Sequence, residues 1–238
     1  MDGEIGPSSP FDRFGMFFSP EGRILQIEYA RQTVKSGSTA IGLVAKDGVV
    51  IVADKKIPNK LVVSDYIEKI LEIDDTILGT YAGFIPDGRV LIDYARHIAQ
   101  EYKVTYGKNI EVDLLVREIS DIMHLDTRYS GVRPFGVSLI IGGIDKTGIP
   151  KLYILDPAGI FYRTLGTVIG EGEDKILKIL EENYKEMKTE EAIRYGIDLL
   201  KELLKDNFTY ERTIVGYVKV GEKVKILQNH QIKEFYEG

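Results

Sequence analysis

The sequence contains no cysteine. That excludes disulfides, thiolate nucleophiles and cysteine-ligated metals, and it suits a chain expected in the cytoplasm. Histidine is nearly as scarce. His97, His124 and His230 are the only three, and they stand far apart in the chain, which argues against a metal centre. No cofactor is expected. No apolar run approaches the roughly 20 residues that a membrane-spanning helix needs. A basic surplus is missing too: the net charge of −6 gives no electrostatic support for a nucleic-acid partner. The first ten residues are acidic and rich in Gly, Pro and Ser, unlike a signal peptide.

What is present is a well-stocked core. Hydrophobic residues make up 44% of 238, enough for one compact domain or two small ones. Ser19-Pro20-Glu21-Gly22 fits a type I turn, with Pro fixing φ at its second position and Gly at its fourth. A helix is predicted to follow from near Arg23. Its residues Ile24, Ile27, Ala30 and Val34 form one apolar stripe at about 100° per residue, while Leu25 and Tyr29 point elsewhere. Such a helix is touched from two sides.

Beyond it, Thr39 to Ala45 and Val49 to Asp54 read as a hairpin closed by Lys46-Asp47-Gly48. Strands are expected at Leu61 to Ser64, Lys69 to Ile73 and Thr76 to Ala82. The period then changes from two to nearly four. Val90, Tyr94, Ile98 and Tyr102 mark a helix from Asp87 to about Tyr106, closed by Gly107. A second is marked by Val112, Leu115, Val116, Ile119, Ile122 and Met123. Strands resume at Val137 to Gly142, Lys151 to Leu155, Ile160 to Arg163 and Thr167 to Ile169. A second helix pair follows, around Ile176 to Tyr184 and Ile193 to Leu204, the latter capped by Thr189. Ile214 to Val220 and Val224 to Leu227 form a last hairpin. The polar tail from His230 is expected to be loose. Strands, helix pair, strands, helix pair, strands is the order of an α+β fold with antiparallel sheets and helices packed outside.

Several linked motifs carry a resemblance. Phe18-Ser19-Pro20-Glu21-Gly22-Arg23 with Gln26-Ile27-Glu28-Tyr29-Ala30 is similar to the N-terminal signature of proteasome alpha subunits. Phe11-Asp12-Arg13 resembles the Tyr-Asp-Arg of their gate segment. Ser38-Thr39-Ala40-Ile41-Gly42, Ile67-Glu68-Lys69-Ile70, Gly88-Arg89-Val90-Leu91 and Gly131-Val132-Arg133-Pro134-Phe135-Gly136-Val137-Ser138 keep the family's order and spacing. The match runs from about Phe11 to Leu227 and is most like archaeal alpha subunits. It implies the four-layer αββα sandwich of the N-terminal nucleophile hydrolases over residues 38–238, preceded over residues 1–37 by a gate segment and helix. It also implies a non-catalytic, gating role in protein degradation. The chain would sit in a seven-membered ring beside proteasome beta subunits, admit unfolded protein substrates and dock the C-terminal tails of ATPase activators.

The catalytic relatives use an N-terminal threonine whose own amine can serve as base. Aligned on Gly42, Ser38 takes that threonine's place, Asp54 the acidic position and Lys69 the lysine position. Ser38 is internal, however, so its nitrogen is an amide and no such base exists. Ile214 stands where a late-strand acid is expected. The alternative is a self-processing hydrolase that frees Ser38 by cleavage after Gly37. The resemblance assigns activator binding to Lys69 and Gly83, and the gate to Phe11, Asp12, Arg13, Pro20, Glu28 and Tyr29. The pore constriction falls to Tyr129, Ser130, Gly131, Val132 and Arg133. Gly170-Glu171-Gly172-Glu173 looks like a phosphate loop, but its acids would repel phosphate and no Walker lysine follows.

Overall fold

The computed structural model describes residues 18–59, 61–129, 131–227 and 229–237. Its elements are α1 (Leu25–Lys35), β1 (Ala40–Ala45), β2 (Gly48–Asp54), β3 (Ile70–Asp74), β4 (Ile77–Gly83), α2 (Ile85–Tyr106), α3 (Val112–Asp126) and β5 (Val137–Ile144). The second half adds β6 (Pro150–Leu155), β7 (Phe161–Thr164), β8 (Gly166–Ile169), α4 (Glu173–Asn183), α5 (Thr189–Leu204), β9 (Thr213–Lys219), β10 (Lys225–Leu227) and α6 (Asn229–Glu237). Two five-stranded sheets result, in the orders β10-β9-β2-β1-β8 and β3-β4-β5-β6-β7. Every neighbouring pair is antiparallel.

Strand alternation explains the layering. In β2, Val49, Ile51 and Ala53 face the other sheet, where they meet Ile70, Leu78 and Ile140. Val50 and Val52 face the opposite way, onto Ile193, Ile197 and Leu200 of α5. The second sheet does the same: Leu139 and Ile141 of β5 pack under Leu91, Leu115 and Ile119 of α2 and α3. Both faces of each sheet are therefore covered, and the strands read as continuous apolar runs rather than as alternating ones. The chain has the αββα sandwich architecture. Gly42 shows how closely the sheets approach, since a Cβ there would lie 3.0 Å from Ile140 and 3.1 Å from Leu152.

The turn before α1 is present. The Gly22 N–H donates to the Ser19 carbonyl at 2.8 Å, and Gly22 has φ +76°, which glycine adopts without strain. Helix α1 buries Ile27, Ala30 and Val34, the stripe expected from spacing, with Ile24 half-buried at its start. Arg31 ties the helix to the body through Asp156 (2.7 Å).

Three expectations need correction. Residues 61–64 are not a strand. Residues 61–63 lie in a turn that leads into a short 3₁₀ helix, Ser64–Tyr66, and Leu61 is almost fully exposed, so β-branched composition there reflects no burial. Thr189 is not a cap. It is the first residue of α5, and its hydroxyl and N–H both donate to Asp47 at 2.9 Å, an anchor to the β1–β2 turn. The C-terminal tail is not loose. It forms α6, whose Ile232 is fully buried in the outer core, and Lys201 lies 4.5 Å from the Tyr236 ring, a cation–π contact that pins it.

Candidate functional site

The end of the sandwich where β1 begins brings Ser38, Asp54 and Lys69 together, as their alignment predicts. Lys69 sits at the start of β3 and is only 5% exposed. Its ammonium donates to the Ser38 carbonyl at 3.0 Å and, closer still, to the Tyr81 carbonyl. Burial pushes its pKa down to about 7, against the opposing pull of the Asp54 carboxylate and with a further push from Lys56. A solvated strand-edge lysine would show none of this.

Asp54 is spoken for. Arg212 donates Nε to Oδ1 at 3.0 Å and Nη2 to Oδ2 at 2.7 Å, a bidentate pair. The Lys56 N–H adds 2.9 Å to Oδ1. The Asp54 side chain is 4% exposed. Asp54 pairs in register with Thr213, and Ala53 with Ile214, so Arg212 arrives from the residue just before β9. Arg212 was missed in the sequence because 158 residues separate it from Asp54.

Ser38 is also locked from behind. The Gly37 N–H donates to the Val34 carbonyl at 2.8 Å, and the Gly37 carbonyl accepts the Glu171 N–H at 2.8 Å. Thr39 completes the clasp by donating its hydroxyl to the Glu171 carbonyl at 2.6 Å. The Gly170–Gly172 turn, which sequence likens to a phosphate loop, is therefore a brace for the start of β1. Cutting between Gly37 and Ser38 would detach α1 and the three core side chains it buries.

Beside Lys69 lies a cavity of about 220 Å³, lined by Ser38, Lys56, Lys69, Tyr81, Gly83 and Arg89 among others. Gly83 has φ +121°, and a Cβ on it would fall 2.1 Å from the Gly136 carbonyl oxygen. Close packing of β4 on the chain ahead of β5 is a sufficient reason for glycine here. Gly37 shows the same constraint, because its Cβ would lie 2.3 Å from the Gly83 nitrogen.

The wall of this cavity continues into α2. Asp87, in the first turn of α2, accepts Arg133 at 2.8 Å and 2.5 Å and the Gly136 N–H at 2.8 Å. Burial alone would raise the Asp87 pKa; the guanidinium and the N–H outweigh it and hold the carboxyl below its ordinary value. Arg133 also lies over the Phe84 ring, 5.3 Å from its centroid. Of the residues assigned to the constriction, Arg133 thus folds back onto the body, while Tyr129 and Val132 are exposed and Gly131 has φ +87°. Asp87 carries no motif that would single it out by sequence.

Of the residues assigned to the gate, Pro20 is exposed in the turn, Tyr29 is half-exposed on α1, and Glu28 pairs with Arg31 at 2.9 Å. Phe11, Asp12, Arg13 and Ser130 lie outside the described residues. Among the described residues no acid–histidine cluster suits a metal ion, and no helix is long and apolar enough to cross a membrane.

The sequence profile of the family described as "Proteasome subunit" matches residues 34–218. A protein of Picrophilus torridus named proteasome subunit alpha is 41% identical over 226 residues, covering 94% of this chain and 96% of the relative. The proteasome subunit alpha of Methanocaldococcus jannaschii is 44% identical over 204 residues, or 85% and 78% of the two chains. That of Archaeoglobus fulgidus is 40% identical over 233 residues, or 97% and 94%. The chain therefore belongs to the proteasome subunit family and, within it, to the alpha subunits of archaeal type.

Proposed function

We propose that this chain is a non-catalytic subunit of the seven-membered outer ring of a proteasome core. It gates an axial pore, docks ATPase activators at the cavity around Lys69, and supports inner rings of beta subunits whose N-terminal threonines cut the peptide bonds. The observation that carries the non-catalytic reading is the bidentate Asp54–Arg212 pair. A carboxylate that accepts two guanidinium N–H bonds and a backbone N–H has little capacity left to orient a catalytic lysine. Two of the three Lys69 donors are in turn taken by backbone carbonyls, and the hydroxyl of Ser38 has no adjacent free amine to take its proton.

Docking rests on complementarity. A buried ammonium at the base of a narrow cavity suits the carboxylate at the end of an entering chain. Gating rests on the resemblance of residues 11–13 to the family's gate segment and on α1, which anchors the chain just behind them.

Barrels reconstituted from this chain and a beta subunit test the reading. Lys69→Ala should remove ATPase stimulation of casein degradation. Deleting residues 1–13 should raise casein degradation in the absence of any ATPase. Full stimulation in the first variant would refute docking at Lys69, and unchanged leakage in the second would refute the gate.

A further inference from the structure

The ammonium of Lys69 has three N–H donors. Two are spent on the carbonyls of Ser38 and Tyr81, so one remains for a ligand. A carboxylate offers about four lone-pair sites on two oxygens. Lys69 alone would leave most of them to be satisfied by water in a cavity of about 220 Å³.

The other cations around this cavity differ in how far they are already committed. Lys56 lies 3.3 Å from the Glu171 carboxylate. Lys55 is buried and donates to the Ser64 carbonyl and to Asn229, both at 3.2 Å. Arg89 stands near the start of α2, is exposed, and lines the same cavity. Among the described residues it makes no salt bridge, and the Glu68 carboxylate shares the cavity lining with it. Tyr81 joins the two cations. Its backbone carbonyl holds Lys69, its ring lies 5.3 Å from the Lys69 nitrogen, and it lines the cavity together with Arg89. Glu68, also at the cavity, disfavours ligands with more than one negative charge.

We propose that Arg89 is a second carboxylate-binding residue of the Lys69 cavity, so that the end of an entering chain is held by two cations rather than one. The guanidinium supplies the planar, fork-like donors that match a carboxylate, and it stays charged at every physiological pH. This makes the site selective for a free chain terminus over an amidated one. The inference rests on the docking reading above.

The test is peptide binding to the assembled barrel. The probes are an octapeptide copying the C-terminus of a proteasomal ATPase and the same peptide with an amidated end. Arg89→Ala should weaken the free-acid peptide at least tenfold and leave the already weaker amide unchanged. Arg89→Lys, which keeps charge but loses the fork, should recover part of the loss. Equal binding of the free acid to wild type and Arg89→Ala, or equal loss for acid and amide, would overturn the role of Arg89. Lys69→Ala separates the two levels: loss of acid binding there with none in Arg89→Ala sinks only the second cation. Unchanged binding in Lys69→Ala overturns the docking reading itself, and this inference with it.

Discussion

Among the described residues, Asp54 and Asp87 are the two buried aspartates, and they are held in similar ways. Each accepts two N–H bonds from one arginine, Nε and Nη2 of Arg212 or Nη1 and Nη2 of Arg133, and each accepts one backbone N–H, from Lys56 and Gly136 respectively. The difference lies in the arginines. The Arg212 side chain is 24% exposed and that of Arg133 is 57% exposed. At the end of β2, the pair is sealed into the body. At the start of α2, the pair is half in solvent and ties a surface loop to a helix. The same chemical grip seals a carboxylate into the body in one place and positions a surface segment in the other.

The comparison can be broken by removing each arginine. Arg212→Met strands a buried charge, and such losses cost about 3–5 kcal/mol. Arg133→Ala leaves Asp87 with the Gly136 N–H, the favourable end of the α2 dipole and access to water, so a loss of about 1–2 kcal/mol is expected. Urea denaturation of the two variants should rank them in that order. A larger loss for Arg133→Ala would mean that the sealed pair is not the more costly one to break.

A smaller effect sharpens the account of the Asp54 side. Lys69 sits among Asp54, Lys55, Lys56, Glu68, Arg89 and Tyr81, and burial holds its pKa at about 7. The unfolded chain therefore binds the extra proton between pH 7 and the ordinary lysine range. The penalty from charging Lys69 is full below pH 7 and fades as pH rises, so its contribution to folding improves with pH in that window. Wild type should gain stability relative to Lys69→Met between pH 6 and 10. A flat difference would show that the buried ammonium does not titrate there.

Much of this was legible in the residues. The four core helices announced themselves through apolar spacing, and hairpin turns marked the antiparallel sheets. Ser38, Asp54 and Lys69 could be brought together because β1, β2 and β3 carry recognisable motifs. Partners contributed by distant, unpatterned segments stayed hidden. Arg212 lies in no periodic run, and although Arg133 stands in a recognisable motif, its salt bridge to Asp87 leaves no spacing signal. Residues 61–64 were mistaken for a strand because their composition favours β-structure while their surroundings supply no partner strand. The α6 helix was missed because it is short and mostly polar, with Ile232 as its one fully buried side chain.

The central claim is that Ser38 stays inside the chain, where its nitrogen is an amide and not a free amine. Intact-mass measurement on the subunit recovered from barrels assembled with a beta subunit tests it most directly. The account predicts one species that still carries the residues before Ser38, α1 included. A species that begins at Ser38 would contradict it.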